Sequence, residues 1–241
     1  FEVYTKGLQF EAGDGRRWPG GDLYAMHTAA EGRLPAVGEV RGERIDLEAL
    51  ARIADSLPLD ADARAALETY APRGFIERVQ ARWEGSLAEP SRYDVSLRGR
   101  GLGLACNRPV GAGETSAHTA SESGAPVAAL CFSGLDLELD ANARGGSVRV
   151  HSATTATLTL PRVFEEPELG LDRIDARARW TLKGSTLEVP RFDIDWANAD
   201  LEGRVGGSWA APSGGAHGPG TLDLSGTVAR ANGARVYRYL P

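Results

Sequence analysis

From Gly74 to the C-terminus, apolar and polar residues alternate with a period of two. Ile174, Ala176, Ala178 and Trp180 alternate with Asp175, Arg177 and Arg179. Phe192, Ile194 and Trp196 alternate with Asp193 and Asp195, and Leu222 and Leu224 flank Asp223. Successive side chains of a strand point to opposite faces, so this pattern specifies a sheet with one apolar face and one wet face. It limits the fold to architectures that either cover the apolar face or use it. What lies over that face is therefore the functional question.

The pattern predicts strands over 75–83, 91–97, 127–139, 147–152, 156–160, 174–182, 186–189, 191–196, 201–209, 221–228 and 235–239. Turn signals at Gly145-Gly146 and Lys183-Gly184-Ser185 suit hairpins. Strands joined by short connections favour an antiparallel meander. Earlier in the chain, residues 1–44 read as leading strands, with turns at Gly13-Asp14-Gly15 and after Trp18. The period then changes. Leu47, Leu50, Ala51, Ile53, Ala54 and Leu57 recur at helical spacing behind Asp46, a good N-cap. A second helix, capped by Asp60 or Asp62, carries Ala63, Ala66, Leu67 and Tyr70 on one side. The organisation is thus one β-rich unit over 1–241. Leading strands occupy 1–44, a helical hairpin 45–71 and an antiparallel meander 72–241, with glycine-rich loops near 107–126 and 210–220. The apolar stripe of the hairpin is expected to pack on one end of the sheet. The chain opens inside an apparent strand, Phe1 to Tyr4, and reads as a piece of a longer protein.

Composition narrows the function. With 42% hydrophobic and 25% charged residues, the chain has enough apolar material to order itself. The formal net charge of -6, with no basic block longer than Arg16-Arg17, argues against sequence-independent nucleic-acid binding, which needs clustered cations. No apolar run approaches the roughly 20 residues of a membrane-spanning helix. Cys106 and Cys131 bracket a glycine-, serine- and alanine-rich stretch. Either they form a disulfide, which would close that loop and stabilise the fold by about 3.5 kcal/mol in the chain-entropy account, or they are two unpaired thiols.

Catalytic patterns are missing from the sequence. There is no Gly-x-Ser-x-Gly elbow and no P-loop; the glycines from Gly99 to Gly103 have no helix behind them to cradle a phosphate. His27, His118, His151 and His217 are too scattered to form a zinc site. Asp193, Asp195, Asn198 and Asp200 form the densest acidic cluster, but Asn198 stands where a calcium loop needs glycine. The cluster reads as the solvent side of a strand whose other side is Phe192, Ile194 and Trp196. No enzyme activity, metal or cofactor is expected. The five tryptophans are by default core residues, and alternatively line an apolar groove. Val79 to Trp83 and Ala176 to Trp180 echo each other, as in a sheet that grows by repeated hairpins.

Three segments carry a family likeness. They are Thr157 to Pro167, the strand Ile174 to Trp180, and the ending Val236 to Pro241. The helical pair followed by Pro72-Arg73-Gly74 and the strand to Trp83 adds a fourth. Together they resemble the YhdP family of AsmA-like proteins, while the loop between Cys106 and Cys131 departs from that pattern. The resemblance implies a curved, elongated antiparallel sheet that forms a half-barrel or taco-like groove. It also implies a periplasmic location in a Gram-negative envelope, with the parent chain anchored in the inner membrane by a segment outside this one. The implied function is conduction of phospholipid between inner and outer membranes. Its partners would be acyl chains, neighbouring groove segments of the same parent and the inner membrane. On this reading the groove floor draws on Trp83, Val95, Leu97, Leu158, Leu160, Ile174, Trp180, Leu187, Phe192, Ile194 and Trp196. The alternative is a closed β-sandwich acting as an envelope scaffold or interaction module.

Overall fold

In a computed structural model of the chain, the structure describes residues 1–11, 15, 17–53, 61–86, 90–105, 131–152, 154–160, 166–184, 186–212, 218 and 220–235. The leading strands are β1 (Glu2–Thr5), β2 (Phe10–Glu11), β3 (Arg17–Trp18), β4 (Asp22–Thr28) and β5 (Val37–Asp46). Two helices follow, α1 (Leu47–Ile53) and α2 (Ala61–Tyr70). Then come β6 (Arg73–Gly85), β7 (Pro90–Leu104), β8 (Cys131–Asn142), β9 (Gly145–His151), β10 (Ala156–Thr159) and β11 (Glu168–Leu171). The chain closes with β12 (Arg173–Lys183), β13 (Thr186–Ala197), β14 (Leu201–Ala210) and β15 (Thr221–Ala231).

Thirteen of these strands form one antiparallel sheet, mainly in the order β1-β4-β5-β6-β7-β8-β9-β12-β13-β14-β15. β10 pairs with β8 and β11 with β10, so this hairpin branches off the main path. β1 and β15 do not meet, and the sheet is open rather than a barrel. Its architecture is the mainly-β, elongated antiparallel sheet expected from the sequence. A sandwich would need a second sheet across the apolar face. Among the described residues the only other sheet is the two-residue pairing of β2 with β3.

Why the chain stops and bends where it does is local chemistry. Asp46 accepts a hydrogen bond from the Ala49 amide at 2.9 Å, capping α1 as its sequence predicts. That fixes the helix across the strand ends, where Ala49 and Ile53 are buried against the sheet. The residues expected to end α1, and Asp60 as a cap of α2, lie outside the described residues, while Asp62, the other expected cap, falls inside α2. Residues 106–130, where the sequence places the start of β8 at 127, also lie outside them.

Three sequence expectations are corrected. The break placed at Pro190 is a bulge inside one strand: β13 runs through, with register shifts between Val189 and Phe192 and, on its other neighbour, between Arg179 and Thr181. Proline has no amide hydrogen to give the ladder, so pairing skips there without ending the strand. The turn placed at Gly145-Gly146 lies instead at Ala143 and Arg144, and both glycines belong to β9. β11 was missed because Glu168 to Leu171 has only four residues and little alternation.

Candidate functional site

Cross-strand partners share a face, so the register assigns every side chain of the sheet to one side. One row starts at Leu23 and passes through Gly42, Val79, Leu97, Leu139, Val148, Ala178, Phe192 and Gly207 to Leu224. A second starts at Val3 and passes through Ala25, Val40, Ala81, Val95, Ala141 and Gly146 to Trp180. A third joins Leu137, Val150, Ala176, Ile194 and Val205. No charged residue interrupts any of these rows. At about 4.8 Å per strand, the first spans about 43 Å across its ten strands.

The opposite face is the reverse. Asp22, Glu43, Arg78, Arg98, Glu138, Arg149, Arg177 and Asp193 follow one another across the same strands. Here the cations are nearly all arginine and most have an acid at hand. Arg98 meets Glu138 at 3.0 Å, Arg149 meets Asp175 at 3.0 Å and Arg204 meets Asp195 at 2.6 Å. Burial pushes the Asp175 carboxyl up, but hydrogen bonds from Arg149 and Arg177 outweigh it and hold the group below its ordinary value. The hydrogen-bonded Arg191 guanidinium does the same to Asp193. A hollow of about 460 Å³ on this face is lined by Arg173, Asp175, Asp195, Glu202 and Arg204; Arg173 pairs with Glu202, Arg204 with Asp195, and Asp175 with Arg149 from outside it.

The expectation that the acidic cluster is the solvent side of a strand holds for Asp193 and Asp195 only: Asn198 and Asp200 lie past the end of β13 and are buried. Asp193 and Asp195 are held by arginines, and Asp200 faces Arg235 at 3.5 Å. Asn198 Oδ1 accepts the Asp200 and Leu201 amides and so builds the turn between β13 and β14. Among the described residues no group of three or more histidine, cysteine or carboxylate side chains could hold a metal ion.

On the apolar face, the buried clusters among the described residues lie on one flank. Ile45, Ile76 and Leu102 form one buried cluster, with Trp18, Leu47 and Leu50 packed onto it. Leu135, Ala156, Leu171 and Ile174 form a second, under the β10–β11 hairpin, joined by Leu158, Ile194 and Trp196. These clusters lie where β5 and β7 end and where β6, β8 and β12 begin, which is a single edge of the sheet. Away from it the rows are half-exposed, and among the described residues no large side chain is fully buried.

Of the residues the sequence nominates, Trp83, Val95, Leu97, Ile174, Trp180, Phe192, Ile194 and Trp196 all take positions on the apolar face by register. Leu187 pairs with Leu182 near the β12–β13 turn, and Leu158 comes in from the branch hairpin. Leu160 joins no row; it lies just past β10, its amide bonded to the Pro167 carbonyl. Cys131 begins β8 and is buried, while Cys106 lies outside the described residues.

The sequence reading missed the glycines. A Cβ on Gly38 would run into the Trp83 ring. One on Gly146 would stand 2.5 Å from Cζ2 of Trp180, and one on Gly203 3.0 Å from Cζ2 of Trp196. Each of these glycines is the cross-strand partner of the tryptophan that lies over it. The indoles therefore lie along the sheet instead of standing up from it, which keeps the face low. The Trp83 Nε1 is buried without an acceptor, so packing rather than a hydrogen bond holds that ring. The signal was present as Trp–Gly pairs, but it is readable only once the register is known.

These features define a class: a β-sheet protein whose described residues form an open face with a continuous apolar surface and no second layer closing over it. The chain belongs to the YhdP family, whose profile, described as YhdP protein, matches residues 1–241. That family is an AsmA-like, bridge-like transport family of the Gram-negative envelope. Comparison with curated proteins and with solved structures gives no match. Among the described residues no helix is long and apolar enough to cross a membrane.

Proposed function

We propose that this chain is a segment of a periplasmic conduit whose apolar face carries phospholipid acyl chains between the inner and outer membranes. The observation that carries the reading is the set of uncharged rows that together cross the sheet, half-exposed and, among the described residues, without a covering layer. A face of this kind shields hydrocarbon while headgroups stay in water. Each CH₂ removed from water contributes about 0.8 kcal/mol, so a chain of about 16 carbons gains on the order of 12 kcal/mol before entropic losses. Because the floor is uniform, no single position traps the lipid, and sliding needs no catalytic group. The face continues through neighbouring groove segments of the parent chain, which an anchor outside this segment holds to the inner membrane.

The test separates floor from core. Val95 and Val148 sit in the rows but outside both buried clusters. Val95→Glu and Val148→Glu should leave the far-ultraviolet spectrum and melting cooperativity intact while abolishing lipid co-purification from envelope extracts. Leu135→Glu, inside a cluster, should instead unfold the chain. If the unsubstituted protein carries no lipid and binds no apolar dye, the conduit reading fails.

A further inference from the structure

We propose that lipid lies on this face with one polarity: headgroups along the rim that carries Trp83, Tyr93, Trp180 and Trp209, tail ends toward the flank covered by α1 and the β10–β11 hairpin. The inference rests on the reading of the face as a lipid groove and adds to it a direction across the groove.

Three observations carry it. First, the two long edges of the face differ. One is closed by the protein's own packing, at Ile45–Ile76–Leu102 and at Leu135–Ala156–Leu171–Ile174. Along the other, where β6, β8, β12 and β14 end, no described element lies over the face. Second, the aromatic residues are sorted between the edges. Trp18 and Trp196 pack into the clusters of the closed flank. Trp83, Trp180 and Trp209 sit within three residues of the opposite strand ends, and Tyr93 pairs with Trp83 there. Tryptophan and tyrosine combine an apolar body with a polar tip and favour the boundary between hydrocarbon and water; Trp83 counts here by its position alone, because its Nε1 is buried. Third, that rim is wet and charged. Where Trp83 and Tyr93 reach the strand ends opens a hollow of about 450 Å³ whose other walls include Arg82, Glu84, Arg92 and Asp94, which by register belong to the charged face of the same strands. Arg92 and Lys183, on the same rim, have side chains exposed by 78% and 71%. Headgroups carrying charge can solvate there, whereas on the closed flank the apolar face is taken up by the protein's own buried side chains.

The dimensions agree. Six residues separate Trp180 from Ile174 along β12, about 20 Å at 3.4 Å per residue. One leaflet of a bilayer is about 15 Å deep, half the hydrocarbon thickness. A tail laid along the strands therefore fits between the aromatic rim and the closed flank.

Quenching of tryptophan fluorescence by nitroxide-labelled phosphatidylcholine tests this on the whole chain, comparing label on the headgroup with label at the tail end. Trp180→Phe should remove mainly the quenching by headgroup label, and Trp196→Phe mainly that by tail-end label. Circular dichroism checks each variant's fold, and Trp→Tyr replaces any that fails it. The opposite assignment, or equal losses with both labels, overturns the proposed polarity while the groove reading stands. Failure of the unsubstituted protein to bind either lipid overturns the groove reading, and with it this inference.

Discussion

At the level of single residues, the tryptophan–glycine pairs set the height of the floor. Gly38 is the cleanest of them, because the three atoms nearest to an added Cβ all belong to the Trp83 side chain and its backbone angle is unrestricted. Gly38→Ala should therefore destabilise the protein by about 1–3 kcal/mol through overpacking. In the double variant with Trp83→Leu the clash disappears, so the combined loss should fall short of the sum of the single losses. Urea titration of the four proteins measures that coupling, and strict additivity would mean the ring is not held against Gly38. The charged face makes a separate prediction. Asp193 has its carboxyl held below the ordinary value by the hydrogen bond from Arg191, and Asp175 is held down by Arg149 and Arg177 against its own desolvation. A lowered folded-state value means the deprotonated group favours the folded protein. This contribution is complete above the unfolded carboxylate value of about 4 and is lost as pH falls through the folded one. The melting temperature of Asp193→Asn should accordingly lie below that of the parent at neutral pH and meet it in strong acid. The difference should be small, because both partners are solvent-screened.

Among the elements, α1 matters more than its seven residues suggest. It closes part of one flank, with Ala49 fully buried and Ile53 nearly so. Removing its cap with Asp46→Ala should cost about 1 kcal/mol. Hydrogen exchange should then rise at the α1 amides and in the adjacent ends of β5 and β6, while β12 to β14 stay protected; a uniform change along the chain would contradict this division. The cap was legible in the sequence because an acid before an apolar helical stripe has one common use. The alternating strands were legible for a similar reason, since each carries its own face label. The run Ile174 to Trp180 predicted an apolar side that the register to Val150, Ile194 and Trp196 then supplied. Other features depended on long-range pairing and were not legible. Gly145 and Gly146 read locally as a turn, yet they are in β9 because Trp180 and the backbone of its strand press against them. Leu160 carries an alternating neighbourhood but falls at the end of a branch strand, outside the rows. Nor could spacing show that Ile174 is walled in while Phe192 is half-exposed, since the same alternation produces both.

For the whole molecule, the open sheet trades a closed core for two free edges. β15 is the more vulnerable. Each of its eleven residues is exposed, and it has no proline to interrupt pairing. Leu222, Leu224 and Val228 extend the apolar rows to the last strand at 55%, 53% and 61% exposure. Among the described residues its backbone is paired on one side only, with β14. Such an edge is a template for another strand, and proteins usually blunt it with a charge, a proline or a bulge. Here the only charged residues are Asp223 and Arg230, while the apolar row and the unpaired backbone run side by side for most of the strand. The isolated chain is therefore expected to self-associate reversibly through this edge, with sedimentation coefficients that rise with concentration. Leu224→Lys places a charge in the middle of the row without touching either buried cluster. It should return the protein to monomer and leave its melting temperature within about 0.5 kcal/mol equivalent of the parent, as for other surface changes. A change to lysine at an exposed site away from either edge, Glu68→Lys on α2, which shifts the net charge by twice as much, should leave association unchanged. If both variants dissociate the protein equally, net charge rather than the β15 edge controls assembly.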